Sequence, residues 1–511
     1  MVHLRVTISL IDEEFPDTGA VELSRTDLPK FEIAKKSARA TLEAIEEQTL
    51  NTGHEVMRQM LIRQWEIADQ EQVIGYCESY DAGTVQIDGF ASQRVASRLG
   101  ILELRRQVCF NLETETHLMP GNELLPEHNG TIITRGLQEW ACLLSQDLPF
   151  STVERLLGWQ AHHAKVICGS EVQVLVRRHG EAIRTAEAQE VEALEGRNDL
   201  NQFKVNLVDA KAARHHAAWP VELTAAVEQA LAQGNERPPQ GVSIQDWERV
   251  LLARKTEAEC LSLKQLRCLG PEVQVGQVIA ATDDVLVRKP QSGQWLTQRV
   301  ARIATPDGYR YLSGTGSLVL RQLSLMLLLC GGRSRWVTLL GDGAKWLRDF
   351  FEEGLKDFTR KEFLLDWYHL LRKCKGFAGM ICSTKQSKKE LKKQLGAMLW
   401  KGETELALAT LETYRSHTKN EEKLQELMDY LSARKPYIVN YNERRLLRQY
   451  IGSAHAEKAC DLIVAKRQKN RGMHWSEKTA DGLAALKTVM LNKSWELYWK
   501  EHKVLPLAVA P

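Results

Sequence analysis

The chain has 511 residues, 43% of them hydrophobic and 26% charged, with a formal net charge of +2. That length accommodates several domains and a sizeable core, and the composition excludes a low-complexity or disordered chain. The longest apolar run, LSLMLLLC at 323–330, is far shorter than the roughly 20 residues a bilayer span requires, and the N-terminus turns acidic without a cleavage pattern, so a cytoplasmic protein with no membrane partner is expected.

The charge is unevenly spread. Residues 341–511 hold 32 Lys and Arg against 22 Asp and Glu, which leaves 36 against 44 in residues 1–340. A basic C-terminal third on a mildly acidic remainder points to a polyanion partner. The ten cysteines are scattered with no C-x-x-C pair, so zinc is not expected and reduced thiols are.

In chain order, LRVTISLI near the start reads as a strand. Apolar positions three and four apart from about Leu28 to Ile67 predict a helical arm. From Val95 to Asn111 the period changes to two, with a turn at Leu99-Gly100 and ILELRRQVCF as a strand. Residues 130–180 predict three short helices, the second opened by a capping box at Ser151 and Glu154. Tight turns between them fit a helix-turn-helix module, and equally a small helical bundle. Residues 181–250 are acidic and then Pro-containing, a spacer. From Val273 the pattern becomes α/β: three strands, a helix at about Leu318–Leu329, a fourth strand, a turn at Gly341-Asp342-Gly343, a helix, a fifth strand, and a helix carrying Asp366 and His369. Residues 385–450 are almost wholly helical. The stretch IGSAHAEKACDLIVAKRQKNRGMHW, residues 451–475, is a helix with Glu457 in its first turn and a basic run, Lys466, Arg467, Lys469 and Arg471, ahead of His474 and Trp475.

Three acids stand where a sheet and a following helix would present them: Asp283 on the first strand, Asp342 in the glycine-flanked turn, and Glu457. Each alone has a structural reading, as a strand end, a turn residue, or an acid favoured by the helix dipole. Together they offer the oxygen ligands that hard divalent ions take, and two such ions catalyse phosphoryl transfer. The basic run suits phosphates, and Trp475 suits either base stacking or packing.

The blocks GDGAKWLRDFF, FLLDWYHLLRK and IGSAHAEKACDLIVAKRQKNRGMHW resemble the C-terminal half of bacterial insertion-sequence DDE transposases of the ISKra group and their Mutator-like relatives, over about residues 275–500. The resemblance implies a ribonuclease H-like mixed sheet with an all-α insertion, preceded by a mainly helical N-terminal region. It implies Asp283, Asp342 and Glu457 as the catalytic and metal-binding triad, holding two Mg2+ or Mn2+ ions. Asp284, Asp366 and His369 become auxiliary residues, the latter two through the family's D-x-x-H element. Lys466, Arg467, Lys469, Arg471, His474 and Trp475 become DNA contacts.

The domains expected are a helical region (1–94), a β-hairpin resembling a degenerate zinc ribbon around Cys109 (95–120), a helical DNA-binding region (121–185), a spacer (186–272), the first part of the catalytic domain (273–384), the all-α insertion (385–450) and the catalytic domain's C-terminal helices (451–511). The expected activity is metal-dependent cleavage and strand transfer at transposon ends. The partners would be end and target DNA, the protein would form a homodimer or larger synaptic complex, and it would sit on the nucleoid when bound. The alternatives are an inactive or repurposed DNA-binding protein and a structure-specific nuclease.

Overall fold

The structure, a computed structural model, describes residues 3–4, 7–12, 21–27, 31–32, 42–125, 132–163, 165–196, 229–230, 233, 238, 240–242, 277–291, 293–305, 308–329, 336–356, 358, 360–447, 449–469 and 472–507. Most of the expected spacer therefore lies outside the described residues, as do Arg471 and three of the cysteines. The chain forms two compact units, residues 1–176 and 177–511. Among the described residues no helix is long and apolar enough to cross a membrane.

In the first unit, β1 (His3–Leu4) pairs with β4 (Phe31–Glu32) and β2 (Thr7–Asp12) with β3 (Val21–Asp27). Of the expected arm, Phe31–Glu32 forms a strand, residues 28–30 and 33–41 lie outside the described residues, and α1 (Leu42–Glu78) runs on past Ile67. β5 (Val85–Ser97) and β6 (Gly100–Asn111) form the predicted hairpin around Leu99-Gly100. β7 (Thr116–Leu118) and β8 (Ile132–Ile133) complete a four-stranded sheet in the order β7-β6-β5-β8. α1 is pinned to this sheet by polar contacts: Trp65 Nε1 donates to the Arg105 carbonyl at 2.9 Å, and buried Asp69 accepts from the Gln107 amide at 2.8 Å. Cys109 is buried, and burial first, with Cys77 and Asp69 beside it, pushes its thiol up to about 11.

α2 (Arg135–Ser145) is capped by Thr134 and buries Leu137, Ala141 and Cys142 along one face. α3 (Phe150–Gln160) starts after Pro149. The expected capping box does not form: the Glu154 carboxylate accepts from the Gly169 amide at 2.7 Å instead, tying α3 to the start of α4 (Gly169–Glu195). α4 also departs from the expected boundary. Its second half belongs to the second unit, where Arg177 donates to Thr479 and Arg184 grips Asp481 and Glu187.

The second unit holds a five-stranded mixed sheet: β9 (Gln277–Arg288), β10 (Trp295–Thr305), β11 (Gly308–Gly314), β12 (Trp336–Gly341) and β13 (Lys361–Leu365), in the order β11-β10-β9-β12-β13. The first three are antiparallel neighbours; β12 runs parallel to both β9 and β13. Continuous burial of Trp336–Gly341 is what a central parallel strand covered on both faces requires. α5 (Leu318–Leu329), α6 (Lys345–Asp349) and α7 (Trp367–Ile381) follow their strands as predicted.

Between residues 385 and 447 come α8 (Lys385–Trp400), α9 (Thr404–Thr413), α10 (Glu421–Arg434) and α11 (Tyr441–Leu446). Thr384, Asn420 and Asn440 cap α8, α10 and α11 with side-chain oxygens, which explains where each begins. Leu391, Leu395 and Leu399 of α8 and Leu424, Leu427 and Leu431 of α10 fall on single helix faces and join the core of the sheet. The chain then returns through α12 (Ala454–Cys460), a π-type segment (Asp461–Ala465) and α13 (Lys466–Gln468), and ends in α14 (Glu477–Leu491) and α15 (Trp495–Glu501).

Candidate functional site

Two of the three acids are set by strand register. β9 and β12 are parallel, and their ladder pairs Ala281 with Leu340. Two residues further on, the same register brings Asp342 alongside Asp283, on strands spaced about 4.8 Å apart. Asp342 sits in a turn closed by its own side chain, Oδ1 accepting from the Ala344 amide at 2.8 Å. Gly343 has φ 74°, and a Cβ there would lie 2.7 Å from Leu365 Cδ1, so glycine is required. Glu457 arrives on the first turn of α12, which packs across β9 and β10.

The electrostatics tie the three together. Burial foremost, with the charges of Asp342, Asp284 and Glu457, pushes the Asp283 carboxyl up to about 6 against the opposing hydrogen bond from the Asp284 amide. Among the described residues, none of Asp283, Asp342 and Glu457 makes an ion pair with Lys or Arg. Neighbouring acids are treated differently: Asp284 holds Arg299 through two bonds of 2.8 and 2.9 Å, and Glu362 holds Arg444. A set of hard oxygen donors with no internal cation fits Mg2+ or Mn2+ chemically. Among the described residues, no group of three His, Cys, Asp or Glu side chains is closed up enough to hold an ion. The acids are neighbours rather than a preformed cage.

The auxiliary residues have definite roles in this frame. Asp284 faces away from Asp283 by strand alternation, and its Arg299 partner lies 3.7 Å over the Trp346 ring. Asp366 is 3% exposed and joins two elements. Its Oδ1 caps α7 by accepting from the His369 amide at 2.6 Å, and its Oδ2 accepts from both the amide and the hydroxyl of Ser453, the latter at 2.8 Å. Ser453 is the residue before α12, so Asp366 sets the start of the helix that carries Glu457. Gly452 makes the approach possible, since a Cβ there would lie 2.9 Å from Asp366 Oδ2. His369 is half-buried; burial first, with Arg372 and Lys373, lowers its pKa despite the opposing pull of Asp342 and Asp366.

The end of α10 supplies residues absent from the sequence-based set. Arg434 lies over the Tyr430 ring at 4.0 Å, and its Nε is 3.1 Å from where a Cβ of Gly343 would stand. Burial lowers its pKa, and Asp342 is among the charges that act the other way. The Nε atoms of Arg434 and Arg348 and the Tyr430 hydroxyl are buried without hydrogen-bond partners. Nothing in the local sequence marks this cluster; it exists because the helical insertion folds back over the Asp342 turn.

The basic run divides. Lys466, Lys469 and His474 are exposed. Arg467 and Trp475 are closed to an outside polyanion: they are 6% and 7% exposed, the guanidinium stacks 4.7 Å over the indole, and Trp475 donates to the Arg288 and Gln468 carbonyls. Both hold α13 against β9: Trp475 takes the packing role, one of its two readings, and Arg467, expected as a DNA contact, is buried beside it. Arg471 lies outside the described residues.

No curated protein matches the chain. Residues 331–503 match the model of an uncharacterised protein family, UPF0236, a span that includes Asp342, Asp366, His369 and Glu457 and begins after Asp283.

Proposed function

We propose that the protein is a DDE-type DNA transposase of ISKra-like character with a ribonuclease H-like catalytic domain, cutting and joining DNA at the ends of an insertion sequence. The observation that carries this reading is the convergence of Asp283, Asp342 and Glu457 from β9, the turn after β12, and α12. The sheet order supports it, with three antiparallel strands followed by two parallel ones and a helical insertion before the third acid. Asp283, Asp342 and Glu457 would hold Mg2+ or Mn2+, which supplies an activated water and charge neutralisation at a phosphodiester. The chain's own part is to bring the three carboxylates together, with Asp366 fixing the approach of α12. Arg434 brings a buried donor to the edge of that site, suited to a phosphate oxygen. Homodimers would hold two ends together.

The test is supercoiled DNA carrying the element's ends, incubated with the full chain and Mg2+ or Mn2+. Wild type is expected to nick and then join strands, and Asp342→Ala to do neither. Equal activity in that variant would overturn the triad; nicking without joined product would make the protein a structure-specific nuclease. The open arrangement of the acids favours a second reading, a DNA-binding protein without cleavage. Binding with no metal-dependent nicking is its signature.

A further inference from the structure

We infer that the exposed face formed by α7 and α8 is a docking surface for the phosphate backbone of duplex DNA. This rests on the DNA reading above and extends it to a part of the chain not counted among the DNA contacts.

The charge distribution within the helical region is the first observation. Residues 366–401 hold nine Lys and Arg against two acids, one of them the buried Asp366. Residues 402–447, in the same helical layer, hold seven against eight. Pairing follows the same division. Beyond α8 four of the seven cations are neutralised: Arg415 by Glu412 and Glu421, Lys423 by Glu426, Lys435 by Glu405 and Arg444 by Glu362. On α7 and α8, none of Arg372, Lys375, Lys385, Lys389, Lys392 and Lys393 makes an ion pair with an acid among the described residues. A merely solvated surface has no reason to segregate its cations in this way.

Geometry is the second. On α8 the lysines recur at i, i+4, i+7 and i+8, so they share a face, while Leu391, Leu395 and Leu399 occupy the buried one. From Lys385 to Lys393 the face spans about 12 Å of helix. At one phosphate per about 3.4 Å of axis on each strand, that length meets roughly three to four phosphates. α7 packs beside α8, Leu371 against Gly396, and begins at Asp366, next to the strand ends that carry the acids. The basic face therefore starts at the site and leads away from it, so a backbone lying on it would run toward the carboxylates.

The experiment is a salt titration of binding to a duplex DNA of arbitrary sequence, with the full chain in EDTA so that no cleavage intervenes. Substituting Lys385, Lys389, Lys392 and Lys393 with Gln should reduce the slope of log affinity against log salt by about 0.9 for each phosphate no longer neutralised, so by about three to four in total. The smaller pair Lys389→Gln, Lys393→Gln, both at exposed positions, should reduce it by about two and serves if the quadruple variant folds poorly. Replacing Arg415, Lys423 and Lys435 with Gln removes three paired cations from the same layer and should leave the slope unchanged. An unchanged slope in the lysine variants, with wild-type binding intact, would overturn this surface and leave the transposase reading standing. Failure of the wild type to bind DNA at all would overturn both.

Discussion

Replacing Asp366 with Ala should loosen the helix that bears Glu457. The substitution removes an N-cap from α7, worth about 1 kcal/mol. It also leaves the Ser453 amide and hydroxyl buried without their acceptor, at about 1–3 kcal/mol for an unsatisfied group. With two such groups the expected loss is about 3–7 kcal/mol, which at about 0.7 kcal/mol per °C for a unit spanning residues 177–511 corresponds to a fall in Tm of at least about 4 °C. Asp366→Asn should lie between, because its carbonyl retains the cap while its NH2 faces the Ser453 donors. Asp429→Ala, at an exposed acid on α10, should be neutral. Thermal melts followed by circular dichroism measure the loss, and hydrogen exchange at residues 451–457 should rise in Asp366→Ala ahead of global unfolding. A melt within about 1 °C of wild type, well below the fall of about 4 °C expected, would refute the idea that Asp366 sets α12.

Three further outcomes are expected. Asp283 is raised from 3.8 to about 6, chiefly by burial, so its contribution to stability is full below pH 4 and is lost as pH rises through 6. In EDTA, Asp283→Asn should therefore gain on wild type across that window, by at most about 3 kcal/mol, and a gap that stays flat from pH 4 to 7 contradicts the cause given. Burial alone would raise the pKa of Glu362, but the charge and hydrogen bonds of Arg444, with Thr338 and Trp336, hold it low. Arg444→Ala should thus cost about 3–5 kcal/mol at neutral pH, and in wild type the pair's contribution should fade only as pH drops below the ordinary Glu range; a loss under about 1 kcal/mol in urea unfolding argues against it. Arg434→Gln should leave the melting temperature near wild type while slowing metal-dependent nicking at least about tenfold, the loss of one charge-assisted contact, and unchanged nicking rates would remove Arg434 from the site.

The sheet was readable because its signals are local. Alternating apolar residues mark β9 and β10, and a glycine on each side of Asp342 marks a turn the backbone cannot otherwise make. The segments around Trp336 and Phe363 are short apolar runs of the kind buried parallel strands show. What could not be read depends on contacts between distant residues. Asp366 and Ser453 are 87 positions apart, and neither carries a mark of the other. Arg467 and Trp475 look like DNA-facing residues in a basic string and are instead stacked together under the helix. Ser151 and Glu154 have capping-box spacing, but Glu154 takes a better-placed amide at Gly169. Arg434 is one more basic residue at a helix end until the fold delivers it to the Asp342 turn.

The hydrogen bonds from the Ser453 amide and hydroxyl to Asp366, reinforced by the Trp367 amide donating to the Ile451 carbonyl at 3.0 Å, also bring two distant points of the chain to one place. Everything between them leaves and re-enters the domain through the same doorway. Chain length inside such an excursion is nearly free: doubling it adds only about 0.6 kcal/mol of closure entropy. Insertions in the exposed turns between these helices can therefore be accommodated without shifting Glu457 relative to Asp283 and Asp342, provided the doorway stays shut and the core leucines of α8 and α10 and Arg434 keep their places. The Asp366–Ser453 clasp is in that sense the fitting that lets the outer turns of the helical layer vary in length.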